Sequence, residues 1–214
     1  MPSFKTAELG KKESYKLMTG SIVPRPIAWV STISEKGIRN IAPFSFFNGI
    51  AVMPPTVGFT VAYADDDRGY KDTYNNLMAN GECVVNIVTE STAFAMNTTA
   101  KGFPPDVDEF EQVNITPIES ELVQPSRIKE SPIQFECKLH QVVTLKNDLG
   151  HSDLMLCSVL MIHVDESVYD GDFKINQDAL QAIGRMGGSN YIHTGDMFDM
   201  TRYHKIDNTT SGLS

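Results

Sequence analysis

PRPIAWVSTISEKGIRNIAPFSFFNGI, residues 24–50, decides the fold. Ile27, Trp29, Ser31 and Ile33 fall on one side of an extended chain, and Ala28, Val30 and Thr32 on the other, which is the two-residue period of a strand. Pro24 and Pro26 fix φ and remove donors, so the strand starts at or after Pro26. Ser34-Glu35-Lys36-Gly37 reads as a hairpin loop with glycine available for a positive φ. The return strand, Ile38 to Ala42, is expected to end at Pro43. Phe44-Ser45-Phe46-Phe47-Asn48-Gly49 then sets three rings beside two hydrogen-bonding side chains. That mixture suits a flat heteroaromatic ligand with polar edges, and it equally suits the aromatic corner of a core.

Downstream, Val57, Phe59 and Val61 alternate as a third strand. Asp72 to Gly81 reads as a short helix with Asp72 as its N-cap and Asn80-Gly81 as its stop. Glu82 to Val88 is a fourth strand, and Ser91 to Ala100 a second helix. Residues 103–131 are acidic and proline-rich and read as a long ordered loop or lid. Ile133 to Leu145 alternates again, Asn147 to Gly150 is a turn, and Leu154 to Val164 is apolar on both faces. A strand buried on both faces of an antiparallel sheet implies a covering partner such as a second subunit. Hairpin-scale connections and few helices indicate a mainly β protein, a closed antiparallel barrel with peripheral helices.

A chain of 214 residues can bury its own core. Its net charge of −9 argues against nucleic acid or an anionic membrane as partner. No secretory signal opens the sequence, and its longest nearly apolar run, Leu154 to Ile162, is far short of the roughly 20 residues that span a bilayer. Cys83, Cys137 and Cys157 are sparse and odd in number, which fits a reducing cytoplasm. The five histidines show no metal-binding spacing, so no metal is expected.

Two stretches carry cations where an anion could sit. Lys71-Asp72-Thr73 lies at a helix start, where exposed N–H groups attract phosphate, and Arg68 is near in sequence. Without a ligand it is a capped surface helix. Gly184-Arg185-Met186-Gly187-Gly188 offers a second cation, or an ordinary turn, and lacks the dinucleotide-binding glycine spacing.

Arg25 to Thr32, Asn40 to Phe47, Lys71-Asp72-Thr73, Glu109-Phe110, Pro132 to Leu139 and Gly184 to Gly188 with Tyr191, in this order from about residue 15 to residue 200, resemble the flavin reductase-like family with the FMN-binding split-barrel fold. The resemblance implies a single such domain over residues 1–214 and a homodimer with FMN at or near the subunit interface. It implies Val30, Ser31 and Thr32 beside the isoalloxazine, with Trp29 adjoining, and Ser45, Phe46, Phe47 and Asn48 at its other side or edge. Lys71, Asp72 and Thr73 would hold the phosphate end with Arg68 and Arg185, and Asn97 and Tyr191 are weaker candidates. The implied activity is NAD(P)H:flavin reduction, with no side chain required as acid or base and a monooxygenase or electron-transfer protein as possible partner. A flavoredoxin-like electron carrier and a non-catalytic FMN-binding module are the alternatives. Asp65-Asp66-Asp67 and Cys157-Ser158 depart from the family pattern.

Overall fold

The computed structural model describes residues 1–63 and 69–200. Helix α1 (Lys11–Ser21) precedes the hairpin of β1 (Ala28–Ile33) and β2 (Arg39–Phe44). Gly37 takes φ +79°, and Ser34 closes the turn by donating its N–H to Ile38 O and accepting from Gly37 N, both at 2.9 Å. Strands β3 (Phe47–Ala51) and β4 (Thr56–Ala62), helix α2 (Asp72–Asn80) and β5 (Glu82–Ile87) follow, then the short helix α3 (Ala93–Thr98). A two-stranded ribbon, β6 (Pro117–Ile118) and β7 (Arg127–Ile128), leads into the long hairpin β8 (Ile133–Asn147) and β9 (Gly150–Val164). The chain continues through β10 (Tyr169–Gly171), β11 (Lys174–Ile175) and α4 (Gln177–Leu180) to β12 (Ile183–Arg185) and β13 (Tyr191–His193).

Seven strands form one antiparallel sheet in the order β2-β1-β5-β8-β9-β4-β3. Its two edges, β2 and β3, are consecutive in the chain and separated only by Ser45-Phe46. The sheet must therefore curl until its edges nearly meet. The expected antiparallel barrel is present in split form, with a seam that is not hydrogen-bonded edge to edge. Ala28, Val30, Phe44, Phe59, Val85 and Met155 fill its interior, with Leu77 of α2 packed among them. A second core lies outside β1, where Trp29 and Ile41 meet Met96, Phe110, Ile115 and Ile128. Strand β1 is thus covered on both faces.

Several expectations need correction. Strand β2 runs through Pro43, which pairs with Trp29, because an edge strand loses nothing when a donor is missing. The N-cap of α2 is Lys71, and Asp72 is its first helical residue. The second helix is shorter than expected and is preceded by a 3₁₀ turn at Glu90–Thr92. Within the single chain strand β9 alternates: Asp153, Met155 and Cys157 are buried, while Leu160 and Ile162 are 42% and 56% exposed and have no cover from this chain. Residues 103–131 do not stand off as a lid, since Phe110, Ile115 and Ile128 belong to the second core. The glycine run at 184–188 begins inside strand β12.

Candidate functional site

A cleft of about 450 Å³ opens beside the first turn of α2. Asn40, Ala42 and Pro43 of β2 form its floor, and Tyr70 to Thr73 with Asn75 form one wall. The opposite wall is residues 99–103 with Pro105, and Glu109 closes the inner end. The volume lies in the range of cofactor clefts, roughly 300–1,000 Å³. Ala42, Pro43 and Phe103 give apolar surface. Lys71 and Lys101 give cations, and the first-turn N–H groups of α2 precede its internal hydrogen bonds. A ligand with a flat apolar body and one anionic end, which describes a flavin phosphate, fits this set of groups.

The wall at α2 is held by a chain of buried polar contacts. Thr73 Oγ1 donates to Asn40 Oδ1 at 2.9 Å, and Thr32 Oγ1 donates to the same oxygen at 3.2 Å. Asn76 Nδ2 donates to Thr32 Oγ1 at 3.0 Å. Asn40 Nδ2 and the Ile41 N–H both donate to Glu109 Oε2, each at 2.7 Å. Lys71 Nζ lies 5.6 Å from the centre of the Phe44 ring, a cation over an aromatic face at the barrel rim. Burial drives the Glu109 carboxyl up to about 7, the donors from Ile41 and Asn40 pull against it, and Asp72 and Asp108 add to the rise.

The structure divides the residues singled out from the sequence. Lys71, Asp72 and Thr73 share the cleft, and Thr32 touches it through Asn40. Trp29, Val30, Ser31 and Thr32 have no exposed surface, and none of them lines this cleft. Trp29 Nε1 donates to Thr99 Oγ1 at 2.9 Å and so braces the cleft wall from behind. Val30 faces the barrel interior, and the Ser31 hydroxyl donates to Ser126 O at 2.6 Å.

Ser45 and Phe46 lie at the seam, where Ser45 Oγ is 3.5 Å from Arg25 Nε and Phe46 is 41% exposed. Phe47 and Asn48 line a different feature, an open apolar groove of about 370 Å³ shared with Phe135, Val159 and Ile162. Arg185 stands outside the cleft, its guanidinium 4.5 Å from the Tyr191 ring centre, and the Tyr191 hydroxyl is 3.3 Å from Asn97 Oδ1. Arg68 and Asp65-Asp66-Asp67 lie outside the described residues.

Asn40, Glu109 and the wall at 99–103 were not among the sequence candidates. Asn40 was within reach, because a turn at Ser34–Gly37 places it opposite Thr32. Glu109 comes to the cleft from 69 residues beyond Asn40, and no local pattern announces that. Among the described residues no group of histidine, cysteine or acid is arranged to hold a metal ion, and no helix is long and apolar enough to cross a membrane.

Comparison with known proteins bears on this geometry. Residues 19–181 match the family model described as flavin reductase like domain. The crystal structure of nitrilotriacetate monooxygenase component B from Bacillus cereus is 38% identical, with a TM-score of 0.88 over 94% of this chain and 98% of that one. That of a Pseudomonas fluorescens 2-nitrobenzoate 2-nitroreductase is 28% identical, with a TM-score of 0.85 over 97% and 100%. An uncharacterized protein of Aquifex aeolicus is 42% identical over 83% of this chain and 88% of its own length.

Proposed function

This chain belongs to the flavin reductase-like family, and on that premise we propose that it is an FMN-binding oxidoreductase, an NAD(P)H:flavin reductase. The observation that carries the reading is the cleft at the start of α2. There a helix N-terminus, Lys71 and Lys101 face an apolar floor of Ala42 and Pro43. As acceptor of the hydride of NAD(P)H, bound FMN would supply the redox chemistry. The residues of this chain bind and orient it. Lys71 and the N–H groups of Asp72 and Thr73 would hold the phosphate, with Arg68 as a further candidate, and Pro43 and Phe103 would shield the ring from water. No residue is assigned as acid or base in the hydride step.

The remaining candidates suit a site completed by a second copy. Phe46, Phe47, Asn48 and Arg185 do not line the cleft of their own chain. The apolar groove of Phe47, Phe135 and Ile162 and the exposed Leu160 offer a surface on which another protomer packs. We take the enzyme to be a homodimer of single-domain chains, placed in the cytoplasm, where the three buried free thiols stay reduced. The likeness to component B of a monooxygenase supports a partner protein as the final electron acceptor. The reading predicts quenching of flavin fluorescence by the full chain with FMN and NAD(P)H oxidation dependent on added flavin. Substituting Lys71→Ala weakens FMN about tenfold more than riboflavin, which has no phosphate. Equal weakening of both ligands contradicts the placement of the phosphate.

A further inference from the structure

Glu109 does more in the cleft than close one end. Its Oε2 takes both the side-chain N–H of Asn40 and the main-chain N–H of Ile41. An asparagine amide can sit either way round, and its partners decide which. Oε2 also accepts the Ile41 N–H, so it is an acceptor in either protonation state of the carboxyl, and the NH₂ group of Asn40 turns to it while the Asn40 oxygen turns to the hydroxyls of Thr73 and Thr32. Asn76, one turn further along α2, completes the chain through Thr32. All five side chains are buried, so none is held by solvent instead.

We propose that Glu109 is the positioning residue of the cleft: it fixes the Asn40 amide and, through Asn40, seats Thr73 and the first turn of α2 where the anionic end of the ligand docks. The ligand part of this inference rests on the flavin-phosphate reading of the cleft; the positioning part stands on the free chain.

A pH dependence follows. The carboxyl of Glu109 titrates at about 7, pushed up chiefly by burial. Asp72 from α2 and Asp108 on its own segment add negative field, and Arg39 of β2 is tied to Asp108 at 2.6 Å. Lys71, Lys101 and Tyr70 face the same space from the two walls. Below about pH 7 the Glu109 carboxyl is mostly neutral. Above it a carboxylate stands near the seat of the anion and weakens its binding, and by linkage anion binding draws a proton onto Glu109.

The test uses the full chain as wild type, E109Q and E109A, each checked for a cooperative thermal transition. The glutamine keeps an acceptor oxygen for Asn40 and Ile41, removes the charge and puts an NH₂ group in place of Oε1. Without ligand, ¹H–¹⁵N spectra follow the Asn40 side-chain amide, identified by its loss in N40D. Its signals should move through a midpoint near pH 7 in wild type, stay fixed in E109Q, and shift toward solvent values in E109A. With FMN and then riboflavin, fluorescence titrations run from pH 6 to 9. Wild type and E109Q should bind FMN equally at pH 6, and E109Q should bind it about tenfold more tightly at pH 9. Riboflavin should not separate them, and the titration of the FMN phosphate itself cancels in their ratio. E109A should be weaker than both at every pH by about tenfold or more. An Asn40 signal unchanged in E109A overturns the positioning role. An E109Q profile that follows wild type from pH 6 to 9 overturns the proton linkage. If wild type binds no flavin while the Asn40 signals behave as stated, the flavin reading fails and the positioning role stands.

Discussion

Two buried glutamates titrate in opposite directions because their surroundings differ in donors. At Glu136 burial works against the charge, but the N–H groups of Glu121 and Leu122, at 2.8 and 2.6 Å, and His163 Nε2, at 2.7 Å, outweigh it. Its carboxyl lies below the usual range. The stability it contributes is complete above its ordinary pKa and is lost as pH falls through the depressed value. Glu136→Ala leaves two main-chain donors and an imidazole without their acceptor, and should cost about 3 kcal/mol at pH 7 by urea unfolding. Glu109 has fewer donors and two acidic neighbours, so its neutral form is favoured in the fold. Between its ordinary 4.5 and about 7 the folded chain keeps a proton that the unfolded chain has lost. Stability from this group therefore falls as pH rises through that window. Relative to wild type, E109Q should gain about 2–3 kcal/mol between pH 4.5 and pH 8, read from paired denaturation curves. A gain in the opposite direction contradicts the burial account.

Helix α2 earns its place by its ends and by one face. Gly81 ends it in the left-handed region at φ +73°, so Gly81→Ala should cost about 1 kcal/mol although a methyl group there meets nothing within 4 Å. At its start Thr73 is tied to β2 through Asn40, so Thr73→Val should weaken FMN about tenfold with little effect on unfolding beyond about 1 kcal/mol. Gly184 in β12 is different, because a Cβ there would stand 2.8 Å from Pro24 Cβ. Gly184→Ala should cost about 1–3 kcal/mol by thermal melting, since the main-chain bridge between Arg25 and Arg185 holds Pro24 against β12. The hairpin β1–β2 and the helix Asp72–Asn80 were legible because their alternation, turn and stop signals are local. Side-chain roles on β1 were not. Alternation put Trp29 and Ser31 on one face, but only the tertiary fold shows that residues 99–131 cover that face, with Thr99 on the Trp29 indole and Ser126 on the Ser31 hydroxyl. The Asn40–Glu109 contact was hidden for the same reason, and Pro43 misled because edge position is a property of the sheet and not of the residue.

For the whole molecule, the split barrel accounts for where a site can form. The chain passes from edge β2 to edge β3 in two residues, which curls the sheet and leaves its seam beside the cleft. The chain supplies a cleft lined by Lys71 and Lys101 together with Asp72 and Glu109 and, separately, an exposed apolar groove with Leu160 and Ile162 uncovered. The double substitution Leu160→Asp with Ile162→Asp should convert a sedimenting dimer to monomer while the barrel still unfolds cooperatively. A dimer that persists places the interface elsewhere. The apolar pattern of β9 was readable from sequence, whereas a covering surface was not, because a second chain would leave no mark in one sequence beyond an apolar face. Flavin-dependent oxidoreduction is read in the visible spectrum of the full chain with FMN, without oxygen, on adding NADH and then NADPH. The account predicts a bound flavin band that bleaches within seconds with one of the two donors. A bound band that stays yellow with both contradicts the reductase reading, and a chain that leaves the flavin spectrum unchanged contradicts the site itself.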